Sequence, residues 1–366
     1  VKLSRSTLTR RAFLGGGAAV VGGLAVGTSL VTRGGGPAPT LRIANWPYYI
    51  DDESVARFSR ETGIVVDYAE DIEDNVEYFA SIEQSLNDGV DFGRDLVVLT
   101  DWMAANFIFS GHAARLHRLD LPNKVNIVDE LAGVSFDPNR TYSLPWLSGM
   151  TGIAYDSAKV KDVTSIDKLL DPALSGRVGV LSESRDTIGL TLLSLGHDPA
   201  RCSPGEITKA FEKLEAAKRT TSLKVVGADY VEQLTSGELV ACMAWAGDLV
   251  GLTAARPSIR WVVPDHGGIF YTDNMLIPRT SPNQETAERW MNWCYEPANA
   301  ARLAGGTSFI SPVKGAVDVL RSTAPELADN ALLNPTKEMR ARLSTFRYLD
   351  ERSTAALDEQ WVAFTA

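Results

Sequence analysis

The chain is expected to fold as an α/β protein in two lobes, and three observations predict this. Its 366 residues exceed what one hydrophobic core ordinarily serves. Short apolar runs of strand length alternate with segments of helical period from residue 41 onward. The apolar and charged fractions, 45% and 22%, are those of a globular chain rather than a disordered one. Alternation of this kind implies a mostly parallel sheet covered on both faces, with ligands held beyond the carboxyl ends of its strands.

The elements can be read in order. Residues 1–12 are basic, and Phe13 to Val31 is almost wholly apolar, Gly or Ala, with no charge. These are the two regions of an export signal. Arg10 and Arg11 stand directly before Ala12-Phe13-Leu14, a pattern similar to the twin-arginine export signal. No cysteine lies near the end of this run, so attachment as a lipoprotein is not expected, and the protein is either released or held by the uncleaved segment. Gly34 to Pro39 reads as a linker. In the body, strands are expected at 41–46, 64–68, 95–100, 176–181, 223–226, 240–245 and 259–264. Helices are expected at 51–61 (stopped by Gly63), 75–86, after Asp101, and at 184–195, 205–218, 230–236 and 248–255. Residues 283–304 read as one long helix with Trp290, Trp293, Cys294 and Leu303 on its apolar side. The tail from 316 is mostly helical in pattern, and no internal repeat is present.

Charge excludes one class of partner. Residues 1–39 hold five cations and no acid; with a whole-chain charge of −10, the body is left at −15. A nucleic-acid partner demands basic patches and is not expected. Cys202, Cys242 and Cys294 match no metal motif, and their odd number forbids complete pairing, although one disulfide would suit an oxidising compartment.

Aromatic rings and carboxylates recur where strands end. Trp46, Tyr48 and Tyr49 follow the first strand, and Asp101 and Trp102 follow 95–100. Glu183 and Asp186 follow 176–181, and Trp245 and Asp248 follow 240–244. Tyr271 and Asp273 follow Gly267-Gly268-Ile269-Phe270. Arg185 is the one basic residue among these positions. A flexible organic cation needs this chemistry. Ring faces attract ammonium groups and cover a methylene stem, for about 0.5–2 kcal/mol per contact. Carboxylates accept charge-assisted hydrogen bonds from the ammonium ends. Taken singly, each residue has a plainer role: rings in a core, Asp101 and Asp248 as helix N-caps, Glu183 and Asp186 as first-turn acids. It is their joint recurrence that favours a site.

Six segments carry a resemblance: IANWPYYIDDESVARFSRETGIVVDY, DLVVLTDWM, SLPWLSGMTGIAYDS, SRDTIGLTLLSLG, ELVACMAWAGD and VVPDHGGIFYTDNMLIP. In this order and spacing the chain resembles the bacterial spermidine/putrescine-binding proteins of ABC transporters from residue 41 to about 320. The resemblance implies a type II periplasmic-binding-protein-like fold, each lobe a mixed sheet flanked by helices and the two joined by crossing strands. The first lobe would hold 40–147 and 274–318, the second 148–273 and 319–366. It implies a polyamine ligand held by Trp46, Tyr49, Trp102, Glu183, Asp186, Trp245, Tyr271 and Asp273, with Tyr48, Asp101 and Asp248 as further candidates. Arg347 falls near a cleft position that is polar in the family. The implied partners are the permease subunits of an ABC transporter and the twin-arginine machinery. A monomer without cofactor or metal, on the extracytoplasmic side of the membrane, is expected.

Two rival readings stand beside it. The same fold with another organic cation such as thiamine is one. The other is a carboxylate-dependent hydrolase using Glu183 and Asp186. That reading is disfavoured because acids three apart at a helix start share one face, whereas a glycosidase places them on either side of a bond. The four histidines form no H-E-x-x-H set, and no G-x-S-x-G elbow is present, so an enzyme is not expected.

Overall fold

The computed structural model describes residues 38–366, and the expected export segment lies outside the described residues. The first part of the chain runs β1 (Thr40–Ala44), α1 (Ser54–Thr62), β2 (Val65–Ala69), α2 (Asn75–Asn87), β3 (Leu96–Thr100) and α3 (Asp101–Phe109). Then come β4 (Ser143–Asp156), α4 (Ile166–Leu169), β5 (Val178–Leu181), α5 (Ser184–Ser194), α6 (Pro204–Thr221), β6 (Lys224–Val226), α7 (Tyr230–Ser236), β7 (Ala241–Trp245), α8 (Ala246–Ala255) and β8 (Ile259–Val262). The remainder is β9 (Gly268–Leu276), α9 (Gln284–Cys294), α10 (Pro297–Thr307), α11 (Ala316–Thr323), α12 (Pro325–Ala328), α13 (Lys337–Arg340), β10 (Leu343–Ser344) and α14 (Glu351–Thr365).

The strands form one sheet in the order β2-β1-β3-β9-β4-β7-β5-β6, with β8 added to β4 and β10 to β9. It is mixed rather than mostly parallel. Every antiparallel pairing among the described strands involves β4 or β9. These two are the crossing strands. β4 buries all fourteen of its residues and places Leu144, Trp146 and Leu147 in one core, but Ile153, Ala154 and Tyr155 in another. β9 likewise gives Met275 to the first core and Ile269 to the second. Two separate cores strung on two shared strands define two lobes. Between Pro145 and Ser148 the β4–β9 register slips by one residue, a bulge at the crossing that bends the strand.

The expected elements form, with shifted boundaries, and the differences have physical causes. Gly63 does stop α1, in the left-handed conformation with its N–H on Ser59 O. The single helix expected at 283–304 is two, because Pro297 cannot continue a helix and holds Glu296 extended. Trp290, Trp293, Cys294 and Leu303 still all enter the first core. Neither crossing strand is marked by periodicity. A strand buried on both faces does not alternate, and the glycines in β4 blur what pattern remains. Leu320 of α11, Ala328 of α12 and Leu333 also pack in the first core, whereas Leu349 and Leu357 and Phe364 of α14 pack in the second. Cys202, Cys242 and Cys294 are buried free thiols.

Candidate functional site

The site is built where β9 passes between the lobes. Asp273 lies opposite Thr100, the last residue of β3. Tyr271 and Asp273 therefore sit inside a strand, not beyond its end as expected, because β9 continues across both lobes. Asp273 Oδ1 accepts from the Thr100 hydroxyl at 2.8 Å, and Oδ2 accepts from the Tyr49 hydroxyl at 2.8 Å. Burial pushes its pKa up to about 7; the two hydroxyls oppose the rise, and the charges of Asp101 and Asp186 add to it.

The loop after β1 turns Tyr49 inward. Tyr48 takes a left-handed backbone, φ +60°, at a cost of about 1–2 kcal/mol for a residue with a Cβ. Its N–H donates to Glu70 Oε1 at 2.9 Å and its ring stays 58% exposed. Tyr49, by contrast, is 4% exposed, edge-on to Phe309 with centroids 4.7 Å apart. Its phenol is held well above the usual pKa, by burial first and by Asp273 next, so it donates as a neutral hydroxyl. Half-buried Trp46 anchors the loop through Nε1 to Val98 O at 3.1 Å.

Glu183, Asp186 and Trp245 come from the second lobe. Glu183 is the N-cap of α5, accepting from Arg185 N at 3.2 Å, and Asp186 is the third residue of that helix. Trp245 ends β7, and its Nε1 donates to Asp186 Oδ2 at 2.6 Å. Burial raises Glu183 to about 8; the Arg185 charge opposes this, and Asp186 and Asp74 reinforce it. Burial also raises Asp186 to about 6 against its bond to Trp245. Two carboxylates of one lobe and one on a crossing strand are thus forced toward neutrality where the lobes meet. Such a set is relieved either by protons or by a cation.

Tyr271 is placed by a glycine. It pairs with Gly149 of β4, and a Cβ on Gly149 would run into the Tyr271 ring and hydroxyl. Trp102, on the first turn of α3, is 9% exposed and meets a cation already in the protein: the Arg185 guanidinium carbon lies 3.8 Å from its ring centroid.

Asp101 and Asp248 are not helix caps. Thr100 and Trp245 hold the cap positions, and neither helix start shows a side-chain cap bond. Asp101 accepts from Thr272 N at 3.2 Å and Asn274 Nδ2 at 2.8 Å, tying α3 to β9; burial raises its pKa to about 6. Asp248 accepts from the Tyr230 hydroxyl at 2.8 Å. Arg347 is exposed, and its guanidinium donates to Cys202 O at 3.1 Å and to its neighbour's Tyr348 O at 3.2 Å. The structure therefore gathers Tyr49, Tyr271, Asp273, Glu183, Asp186 and Trp245, with Trp46 and Trp102 at the edges. Tyr48, Asp248 and Arg347 are turned to other partners. Thr100, Phe309 and Gly149 belong to the site's construction but carry no sequence signal, since each acts through a residue distant in the chain.

Outside the cleft, His117, Asp120 and Glu288 bring potential ligand atoms within 4.8 Å of one another. Glu288 is already engaged there by His117 N and Gln284 Nε2, each at 2.9 Å. Among the described residues no helix is long and apolar enough to cross a membrane.

A two-lobed α/β body with acids and rings where its lobes meet defines a class, the proteins that bind a small solute between lobes. The chain belongs to the bacterial extracellular solute-binding protein family, whose pattern it matches over residues 53–335; these are binding proteins of transporters and not enzymes. It is 28% identical over 302 residues to the spermidine/putrescine-binding periplasmic protein of Escherichia coli (strain K12), covering 82% of this chain and 84% of that one. It is 25% identical over 342 residues to the putrescine-binding periplasmic protein PotF of the same organism, covering 88% and 90%. In fold it is similar to the spermidine/putrescine ABC transporter substrate-binding protein PotD from Streptococcus pneumoniae, with TM-score 0.75, 23% identity and 89% and 98% of the chains covered. The same architecture also serves a GABA receptor, with TM-score 0.72, 18% identity and 89% and 98% coverage. Fold alone therefore does not select the ligand, and the residues of the cleft must.

Proposed function

We propose that this chain captures a polyamine, spermidine or putrescine, between its lobes on the extracytoplasmic side of the membrane and delivers it to the permease of an ABC transporter. The observation that carries the reading is the trio Glu183, Asp186 and Asp273, set among Tyr49, Trp245 and Tyr271 with their pKa values raised by burial. A diamine satisfies both ends at once: one ammonium meets Glu183 and Asp186, the other meets Asp273, and the rings cover the stem. Closure follows because the ligand touches both lobes, so it binds the closed form better than the open one. The names of the two curated relatives support this choice over other organic cations.

Calorimetric titration with putrescine, spermidine, spermine and thiamine tests it. Heat from putrescine or spermidine with micromolar or tighter affinity is expected. Heat from thiamine alone would overturn the ligand class. Export by the twin-arginine route is part of the same proposal. Replacing Arg10 and Arg11 by Lys should leave the protein in the cytoplasmic fraction, and unchanged export would remove that element.

A further inference from the structure

We infer that Arg185 is a resident cation that fastens the two lobes by stacking on Trp102, and that in doing so it withholds that ring from the ligand. The inference rests on the cleft being the ligand site. Arg185 is 5% exposed on α5 of the second lobe, and Trp102 belongs to a further apolar cluster in which α3 packs on β1 and β3 with Ala44, Val97 and Leu99. The guanidinium carbon lies 3.8 Å above the ring, inside the range of a full cation–π contact. The position is built rather than incidental. Nη1 of Arg185 donates to Asp358 Oδ1 of α14 at 2.7 Å and to Ser184 Oγ at 2.8 Å, so the side chain is held from two sides. The Trp102 Nε1 is buried without a hydrogen-bond partner, so no polar bond fixes the ring and the Arg185 contact is made through its face. A second contact repeats the arrangement. Tyr348, on the segment leading into α14, meets Phe109 at the end of α3, edge-on with centroids 4.9 Å apart.

Two consequences follow. A contact between lobes exists only in the closed form, so this one raises the closed population before any ligand arrives. A ring face already covered by a guanidinium cannot hold an ammonium as well, and like charge beside it repels one. Ligand cations are then confined between Asp273 and the Glu183–Asp186 pair, which favours a short amine over a long one.

The test uses the full chain with Arg185→Met, which keeps the stem and removes the charge, and Trp102→Leu. Solution X-ray scattering compares the free and polyamine-saturated forms, and titration compares putrescine with spermine. Both variants should show a larger radius of gyration than wild type when free and the same one when saturated. In Arg185→Met the vacated ring should improve spermine relative to putrescine about fivefold, equivalent to a contact of roughly 1 kcal/mol. A free form as compact as wild type in both folded variants, or an unmoved spermine-to-putrescine ratio in Arg185→Met, would overturn the inference. Should Arg185→Met not fold, Asp358→Asn, which unpins the guanidinium, should shift both readouts the same way by less, and no shift would count against it. If wild type binds no polyamine, the proposed function fails by itself, and the scattering comparison still decides the clasp.

Discussion

At the crossing-strand end of the cleft, Asp273 accepts a hydroxyl hydrogen bond on each of its oxygens, from Thr100 and Tyr49. At the helix end, Glu183 accepts one long backbone bond and Asp186 one indole N–H, and the two acids lie on the same turn of α5. Both ends are buried, and burial raises the carboxyl pKa values at each. The contrast separates two jobs. Two neutral donors fix the first carboxylate in place whether or not a ligand is present. The second pair has one N–H donor for each acid, and its remaining oxygens gain most from donors supplied from outside. In the proposed binding of a cation, the first end would orient it and the second would gain more from it.

The largest expected effect lies at the needy end. Asp186→Ala should weaken polyamine binding about a hundredfold, the scale of a charged hydrogen bond lost in a buried site. Asp273→Ala and Trp245→Ala should each cost at least about tenfold, since neighbouring groups remain to receive the ammonium or cover the stem. Equal losses at the two ends, read by titration calorimetry, would erase the distinction drawn here.

A smaller effect is proton release. Burial raises the pKa values of Glu183 and Asp273 to about 8 and about 7. Groups raised in this way contribute stability that is complete below the ordinary carboxylate range and is lost as pH climbs through 7 to 8. The ligand-free protein should therefore melt at a lower temperature at pH 8 than at pH 5. A bound ammonium favours the ionised carboxylates, so binding expels protons and affinity should rise roughly tenfold between pH 6 and 8. Titrations at both values, in buffers of unlike ionisation enthalpy, check this; a flat profile without buffer dependence would mean the cation meets carboxylates already ionised.

The smallest expected effect sharpens the orienting role of the first end. Tyr49→Phe removes one of the two donors to Asp273 and leaves the ring against Phe309. It should cost binding only about threefold, a fraction of one neutral hydrogen bond, while raising the Asp273 pKa and so steepening the pH dependence. A tenfold loss would instead give the hydroxyl a direct role toward the ligand.

Much of the cleft was legible because its residues announce themselves locally. Tyr49, Trp102 and Asp186 each follow a short apolar run and Trp245 ends one, and such runs are readable as strands. Asp101 and Asp248 were legible in place but not in role. Whether a first-turn acid caps its own helix or reaches another element depends on what packs beside it, here β9 and Tyr230. Arg185 was visible as the odd cation among acids, but nothing local says that its partners would be Trp102 and Asp358, 83 and 173 residues away.

By itself the sequence determined the alternation of elements and the places where rings and acids follow strands; the backbone preference of Pro297 also lies in the sequence, but the apolar period over 283–304 hid the break it makes. These depend on period and on residue-level backbone preference, which act over a few neighbours. Only the tertiary structure decided that β4 and β9 cross between lobes, that Asp273 sits within a strand against Tyr49 and Thr100, and that Gly149 makes room for Tyr271. Those outcomes come from pairing register and close packing between segments far apart in the chain, and a strand buried on both faces carries no periodic signal of its partner.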